Sequence, residues 1–378
     1  MLRSQEHEPV DLVECDVGRH SLRSLDRRAF LGAASAMAAT AAVTPAALGE
    51  GFPVGPLPDR YPYQVWKVLD DRFKKYVGVN TPLRREWTGS MWAEGSAWNG
   101  VGRYVVFSDI PNNRQMRWDE VTGEVTLLRN PANFSNGNTF DFEGRQISCE
   151  HQSARVVRYE WEGEPTVLAE EFEGKLLNAP NDAVVHPDDG GIVFTDPGYG
   201  SHGWYEGNKR ELELPTSIYH IDAQGGKVTK LTDEIMKPNG LCFSPDYNTL
   251  YVADSAPTHF PEPARIIAWD VQDSGRRLTN RRVFVELDRE PWRTGPGPIH
   301  DGMRADADGN VWAGTIFAGE GVDGVHVYAP DGTRIGQILV PESCANLTFV
   351  GKHRNRLFIC GSQSVYTIYT GAQGAHVS

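Results

Sequence analysis

Six oxygen-bearing residues recur in phase along this chain. Glu94, Asn138, Asn181, Asn239, Asp301 and Asn346 stand 44, 43, 58, 62 and 45 residues apart, and each opens a β-rich stretch. Glu94-Gly95 leads to VGRYVVFSD, Asn138 to TFDFEGRQISCE, Asn181-Asp182 to AVVHPDDGGIVFTD, Asn239-Gly240 to LCFSPDYNTLYVAD, Asp301-Gly302 to MRADADGNVWAGT, and Asn346 to LTFVGKHRNRLFICG. Two carboxylates among carboxamides make a hard-cation donor set, suited to calcium, magnesium or manganese and to calcium most where the cage is roomy and amide-rich. Glu94 and Asp301 carry the two negative charges that balance one divalent ion, whereas no His or Cys cluster has zinc spacing. Asn-Gly and Asp-Gly are also ordinary turn formers. That explanation accounts for one such pair better than for six, because turns do not require the same phase in every repeat.

A shared site needs elements that bring these residues to one place. Units of four strands repeating at roughly 40–50 residues predict an all-β fold, a six-bladed β-propeller with a central metal site. The first strand of each blade lines the channel, so the six openers form a ring at one end. Hairpin turns such as Pro187 to Gly190, Ser244-Pro245-Asp246 and Asp306 to Asn310 lie at the far end. The second strands then return and finish at Asp109, Glu150, Asp196 and Asp254, adding carboxylates beside the ring. Third strands are predicted at Arg114 to Trp118, Val156 to Trp161, Ser217 to Ile221, Arg265 to Val271, Gly324 to Tyr328 and Val365 to Tyr369. Leu83 to Ser90 is predicted to complete the blade that starts at Asn346, since a propeller closes by pairing the two ends of its chain. The long loops Tyr199 to Pro215, Pro257 to Pro263 and Arg289 to Pro298 are placed over the polar end, where they shape access.

The chain has 378 residues with 50 acidic against 37 basic, a net charge of −13. That balance argues against nucleic acid or an anionic membrane as partner. Residues 1–47 carry Asp26-Arg27-Arg28-Ala29-Phe30-Leu31 and then an Ala-rich run, as in a twin-arginine export signal cleaved near Pro45-Ala46-Ala47. The run is too short and too weakly apolar for a span of ~20 residues, so the expectation is a periplasmic or secreted protein with no stable membrane insertion after processing. Residues 48–82 are a lead-in segment and 83–378 the propeller. Cys15 falls in the leader; Cys149, Cys242, Cys344 and Cys360 match no disulfide framework and read as buried free thiols.

Four motifs in order carry a resemblance. EGSAW at Glu94, NDAVVHPDDGGIVFTDPGYG from Asn181, PNGLCFSPDYNTLYVAD from Pro238 and HDGMRADADGNVWA from His300 resemble the gluconolactonase/senescence-marker-protein family, also called regucalcin-like. CEHQSAR from Cys149 resembles its bacterial gluconolactonase branch. The likeness covers Met91 to Tyr369. It implies a propeller holding one divalent ion, often calcium, with magnesium, manganese and zinc as the alternatives, and hydrolysing a sugar lactone. By that likeness Glu94, Asn239 and Asp301 are metal ligands, Asn181 is a ligand or substrate contact, Asp301 doubles as acid/base, and His151 faces the pocket as the other proton-transfer candidate. Asn138, Glu150, Asp196 and His300 are the remaining candidate substrate contacts. Ser96 and His300 stand where the family usually has Pro.

The chemistry implied is metal-assisted hydrolysis: a polarised lactone carbonyl, an added water, and a carboxylate or imidazole taking its proton. The absence of a Gly-x-Ser-x-Gly elbow in the sequence disfavours a serine esterase. Two other readings stay open. One is a metal-dependent arylesterase or phosphotriesterase, for which Tyr199, Trp204 and Trp292 would supply an aromatic wall. The other is a calcium- or ligand-binding propeller without turnover.

Overall fold

A computed structural model describes residues 61, 64–287 and 297–376. The expected export signal and Trp292 lie outside the described residues. The fold is the six-bladed propeller. Its innermost strands are Ala93–Asn99, Ser135–Phe140, Ala183–Val185, Pro238–Phe243, Ile299–Ala305 and Asn346–Val350, each the inner edge of an antiparallel sheet of four or five strands. Each touches the next, and the last returns to the first, which closes the ring.

Burial explains why these strands show no clean alternation of polar and apolar residues. Blades are covered on both faces, so five of the six inner strands are buried at every position, while the outermost strand of the first blade, Val125–Arg129, is partly exposed throughout. Aromatic side chains fill the wedges between blades: Trp118 packs on Phe358 at 5.2 Å and Trp312 on Phe349 at 5.5 Å. Cys149, Cys242, Cys344 and Cys360 are free and buried.

The closing strand forms as the sequence predicts. Arg84–Thr88 pairs antiparallel with Ser364–Tyr369 as the outer edge of the sixth blade, in register from Arg84↔Thr367 to Thr88↔Ser364. The Glu86 carboxylate anchors it, accepting from Arg356 at 2.7 Å and from the Thr367 hydroxyl. The segment before it also belongs to the sheet system. Trp66–Val68 adds a fifth strand to the fifth blade against Arg334–Leu339. A 3₁₀ turn at Asp71–Tyr76, capped by Asp70, then buries Phe73 and Tyr76 against Trp312.

The hairpin turns fall at the end of the channel away from the openers. In the fifth blade one carboxylate holds the whole turn: Asp306 accepts from the backbone N–H of Asp308 and Asn310, the Asn310 amide and the Trp312 indole. Gly309 sits there at φ +86°, a conformation a side chain would strain.

Candidate active site

What turns the openers inward is a break in strand register. In four blades the pairing of the first strand with the second skips two residues, between Glu94 and Ala97, Ser135 and Asn138, Pro238 and Leu241, and His300 and Met303. An acid or amide followed by glycine stands at each break: Asn136-Gly137, Asn239-Gly240 and Asp301-Gly302 are the skipped pairs, and in the first blade Glu94 is the last paired residue before the skipped Gly95 and Ser96. The bulge re-aims the side chain out of the ladder. The glycine lets the neighbouring blade close in, since a β-carbon on Gly95 would lie 1.9 Å from the Asn136 carbonyl oxygen and one on Gly240 2.3 Å from that of Asp301. Asn181 lies two residues before its strand and is held by hydrogen bonds from its N–H to the Thr195 carbonyl and from the Gly137 N–H to its own carbonyl.

Glu94, Asn136, Asn181, Asn239 and Asp301 thus face one cavity of about 380 Å³. The ends of the first and second strands and the loops that follow the second strands supply the rest of its wall: Trp92 and Ile110 from the first blade, Tyr199, Tyr205 and Glu206 from the long insertion, Thr258 and His259 from the fourth blade, and Ile299, Ile316 and Phe317 from the fifth.

The floor of this cavity is rich in carboxyl groups. Glu94 and Asp301 come within hydrogen-bonding reach of each other. Burial, then the nearby Asp182, pushes Glu94 up to about 7. Burial and the Glu94 carboxylate hold Asp301 well above the ordinary carboxylate range, with Glu206 and Asp182 adding to the effect. Burial alone raises Glu206 to about 7, and burial raises Asp182 to about 6 against the opposing pull of Arg304.

The donors suit a hard cation. The carbonyl oxygen of the Asn239 side chain is buried and, among the described residues, no group donates to it, while its amide nitrogen donates to Ser255 at 3.1 Å. Two close carboxylates and an unpartnered amide oxygen beside the Asn181 carboxamide are oxygen-only ligands. No group of three or more His, Cys, Asp or Glu side chains clusters as a metal site among the described residues. The set here reaches four donors only through its carboxamides.

Other residues singled out in the sequence stand elsewhere. The residue in register with Glu94 in the second blade is Asn136, two positions before Asn138, because the bulge falls between Ser135 and Asn138. The Asn138 amide is buried and fully engaged, donating to the carbonyls of Gly95 and Asn136 and accepting from Gln115 and Gln146. Asn346 lies where the sixth blade keeps unbroken register, and its side-chain oxygen accepts from Ser96 at 3.2 Å. The strand-ending acids fasten loops. Asp196 accepts from the N–H groups of Asn178 and Ala179 at 2.8 and 2.7 Å, and Asp254 from Lys237 at 2.8 Å. Asp109 does the same for Met91. Glu150 binds Arg155 at 2.6 Å, Asn133 and Tyr159. His300 is buried between strands, with Nε2 2.8 Å from the Tyr328 hydroxyl.

His151 lies behind the cavity wall. Its Nδ1 is 3.1 Å from the carbonyl oxygen of Glu206 and its ring packs on Gly200, so it ties down the insertion that carries Glu206. Three positions were missed in the sequence. Asn136 was hidden by the bulge, and Glu206 by an insertion that has no counterpart in other repeats. The third is the hydroxyl before the strand-ending acid: Ser108 and Thr195 donate to the carbonyls of Asn136 and Asn239 in the next blade. The Ser-Asp and Thr-Asp pairs at 108–109 and 195–196 were its visible signal.

Fold and site together define a six-bladed propeller with a carboxylate- and carboxamide-floored pocket at one mouth of its channel. Within that class the chain belongs to the family described as the SMP-30/Gluconolactonase/LRE-like region, whose pattern matches residues 92–363. It is 26% identical to the gluconolactonase of Zymomonas mobilis over 94% of this chain and 99% of that protein. It is 27% identical to lactonohydrolase oryL of Aspergillus oryzae over 57% of this chain and 49% of the relative. Among solved structures, a gluconolactonase from Xanthomonas campestris superposes with a TM-score of 0.71 at 30% identity, covering 84% of this chain and 99% of that one.

Proposed function

We propose that this protein is a divalent-metal-dependent lactone hydrolase. The observation that carries the reading is the buried pair Glu94 and Asp301 beside the unpartnered Asn239 oxygen, in a family whose relatives include a gluconolactonase and a lactonohydrolase. Glu94, Asn181, Asn239 and Asp301 are the residues that would hold the ion, with calcium the best match to an amide-rich set. Such an ion, when bound, supplies electrophilic polarisation of the ester carbonyl.

The chain's own groups handle the rest. Water adds to the lactone carbonyl carbon and gives its proton to a pocket carboxylate. Glu94, Asp301 and Glu206 face the cavity, and of these Asp301 and Glu206 are the two candidates. The bond from the carbonyl carbon to the ring oxygen then breaks, and the ring oxygen takes up that proton, leaving one hydroxy acid. His151 supports this arrangement from behind, by fixing the Glu206 segment.

The same proposal includes export. The twin-arginine motif at Arg27-Arg28 would deliver the folded protein to the periplasm or medium. Among the described residues no helix is long and apolar enough to cross a membrane.

The test is acid release from a lactone, an aryl acetate and a phosphotriester, with added metal, with chelator, and with Asp301→Ala. Lactone turnover lost with chelator and with the substitution supports the assignment. Turnover lost with chelator and kept in Asp301→Ala removes that residue from the mechanism, and turnover kept in chelator contradicts the role of a metal.

A further inference from the structure

The cavity has two unlike halves. Tyr199, Thr258 and His259 meet on one side, the Tyr199 hydroxyl lying 3.3 Å from the Thr258 hydroxyl and the Tyr199 and His259 rings 5.8 Å apart. Their polar atoms already serve one another: the Thr258 hydroxyl donates to the Ser255 carbonyl, and His259 Nδ1 lies 2.8 Å from Thr258 Oγ1. On the other side Trp92 of the first blade reaches across the sixth to stack on Phe317 of the fifth, with ring centroids 5.8 Å apart and planes inclined by 27°. Ile110, Ile299 and Ile316 continue this wall into the cavity.

Phe317 is unusual in two respects. It is 46% exposed, and its φ is +59°, a left-handed conformation that costs a phenylalanine free energy. Its neighbours hold it there: its N–H donates to Ser343, and Gly297 packs so close that a β-carbon would lie 2.2 Å from the Phe317 carbonyl oxygen. An exposed aromatic ring kept in a strained conformation at the mouth of a cavity points to use by a ligand.

Hydroxyl groups of a polyhydroxylated lactone pressed on Phe317, Ile110, Ile299 and Ile316 would meet no hydrogen-bonding side chain, the Trp92 indole N–H being the one donor on this wall, and each buried hydroxyl without a partner is costly. A hydrocarbon substituent gains from the same contact. We infer that the wall from Trp92 and Phe317 to Ile110 is a subsite for an apolar substituent on the lactone ring, and that the preferred substrates are alkyl- or aryl-substituted lactones and not polyhydroxylated ones. This rests on the lactone-hydrolase reading above and narrows it.

The experiment measures kcat/KM of the metal-loaded full-length protein on δ-valerolactone, δ-nonalactone and glucono-1,5-lactone, with wild type and Phe317→Gly. Glycine removes the ring and relaxes the left-handed backbone, so folding is not at risk from strain. The butyl-bearing δ-nonalactone is expected to exceed each of the other two by about tenfold or more, as burial of several methylenes allows. In Phe317→Gly the nonalactone-to-valerolactone ratio, which cancels any loss of folded enzyme, is expected to fall about tenfold. A higher kcat/KM on glucono-1,5-lactone, or a ratio unchanged by Phe317→Gly, overturns the subsite while leaving the hydrolase reading intact. Turnover of none of the three lactones overturns both together.

Discussion

His151 Nδ1 lies 3.1 Å from the backbone carbonyl oxygen of Glu206, so a histidine from the second blade fastens the insertion between the second and third strands of the third. Burial keeps its imidazole neutral, with its pKa lowered to about 4, and the proton on Nδ1 serves the carbonyl. The side chain acts by position, and the carboxyl it positions, that of Glu206, faces the cavity.

His151→Ala is therefore expected to lower kcat/KM by about tenfold, the scale of a loosened active-site loop, and to speed proteolysis between Tyr199 and Pro215. A loss of about 10³-fold or more without faster proteolysis would show that His151 itself moves the proton.

Gly240 sets how closely the fourth and fifth blades approach. A β-carbon there would lie 2.3 Å from the Asp301 carbonyl oxygen and 2.6 Å from Gly302 Cα, both backbone atoms with no side-chain freedom to yield. Gly240→Ala is expected to destabilise the fold by about 3 kcal/mol, as overpacking does, and to weaken metal binding by separating Asn239 from Asp301. Calorimetric unfolding with and without calcium checks both effects.

Much of this was visible in the sequence, and the exceptions have physical causes. Periodic oxygen donors, alternating third strands and the Leu83 to Ser90 segment were enough to place six blades and their closure, because each blade repeats one pattern in one phase. Counting phase failed at Asn138, since a bulge displaces the inward-facing residue to Asn136. At Asn346 the sixth blade has no bulge, and the side chain supports the ring without lining the cavity, its oxygen accepting from Ser96 and its amide serving Glu94. The acids at the strand ends looked like site residues by location. Only their hydrogen bonds reveal that Asp196 and Asp254 serve backbone N–H groups. Glu206 lies in an insertion, where register has no meaning.

Asp196→Ala gives a direct test of that loop-fastening role. Two buried N–H groups would lose their acceptor, at a cost of about 3 kcal/mol. A lowered unfolding temperature with KM within about twofold of wild type is expected if the carboxylate is structural. A tenfold rise in KM with unchanged stability would make it a substrate contact.

The buried histidines give the fold an acid limit. His326 is fully buried, its Nε2 lies 2.9 Å from the Val322 carbonyl, and burial lowers its pKa to about 4 from an ordinary 6.5. Below 6.5 the unfolded chain takes up a proton that the folded one refuses until about 4, so this contribution is present above 6.5 and is lost as pH falls toward 4. The stability advantage of wild type over His326→Gln is expected to shrink by about 2–3 kcal/mol between pH 7 and pH 4.5. Denaturant melts at the two pH values measure it, and an advantage that does not change with pH contradicts a neutral buried imidazole.

The most direct measurement is a calorimetric titration of calcium into chelator-stripped, full-length protein and into its Glu94→Gln and Asp301→Asn variants. One ion bound per chain in the wild type, with binding lost or weakened by at least about 100-fold in both variants, is the predicted result. No binding by the wild type, or binding unaffected by either substitution, would contradict the metal centre on which the proposed hydrolysis depends.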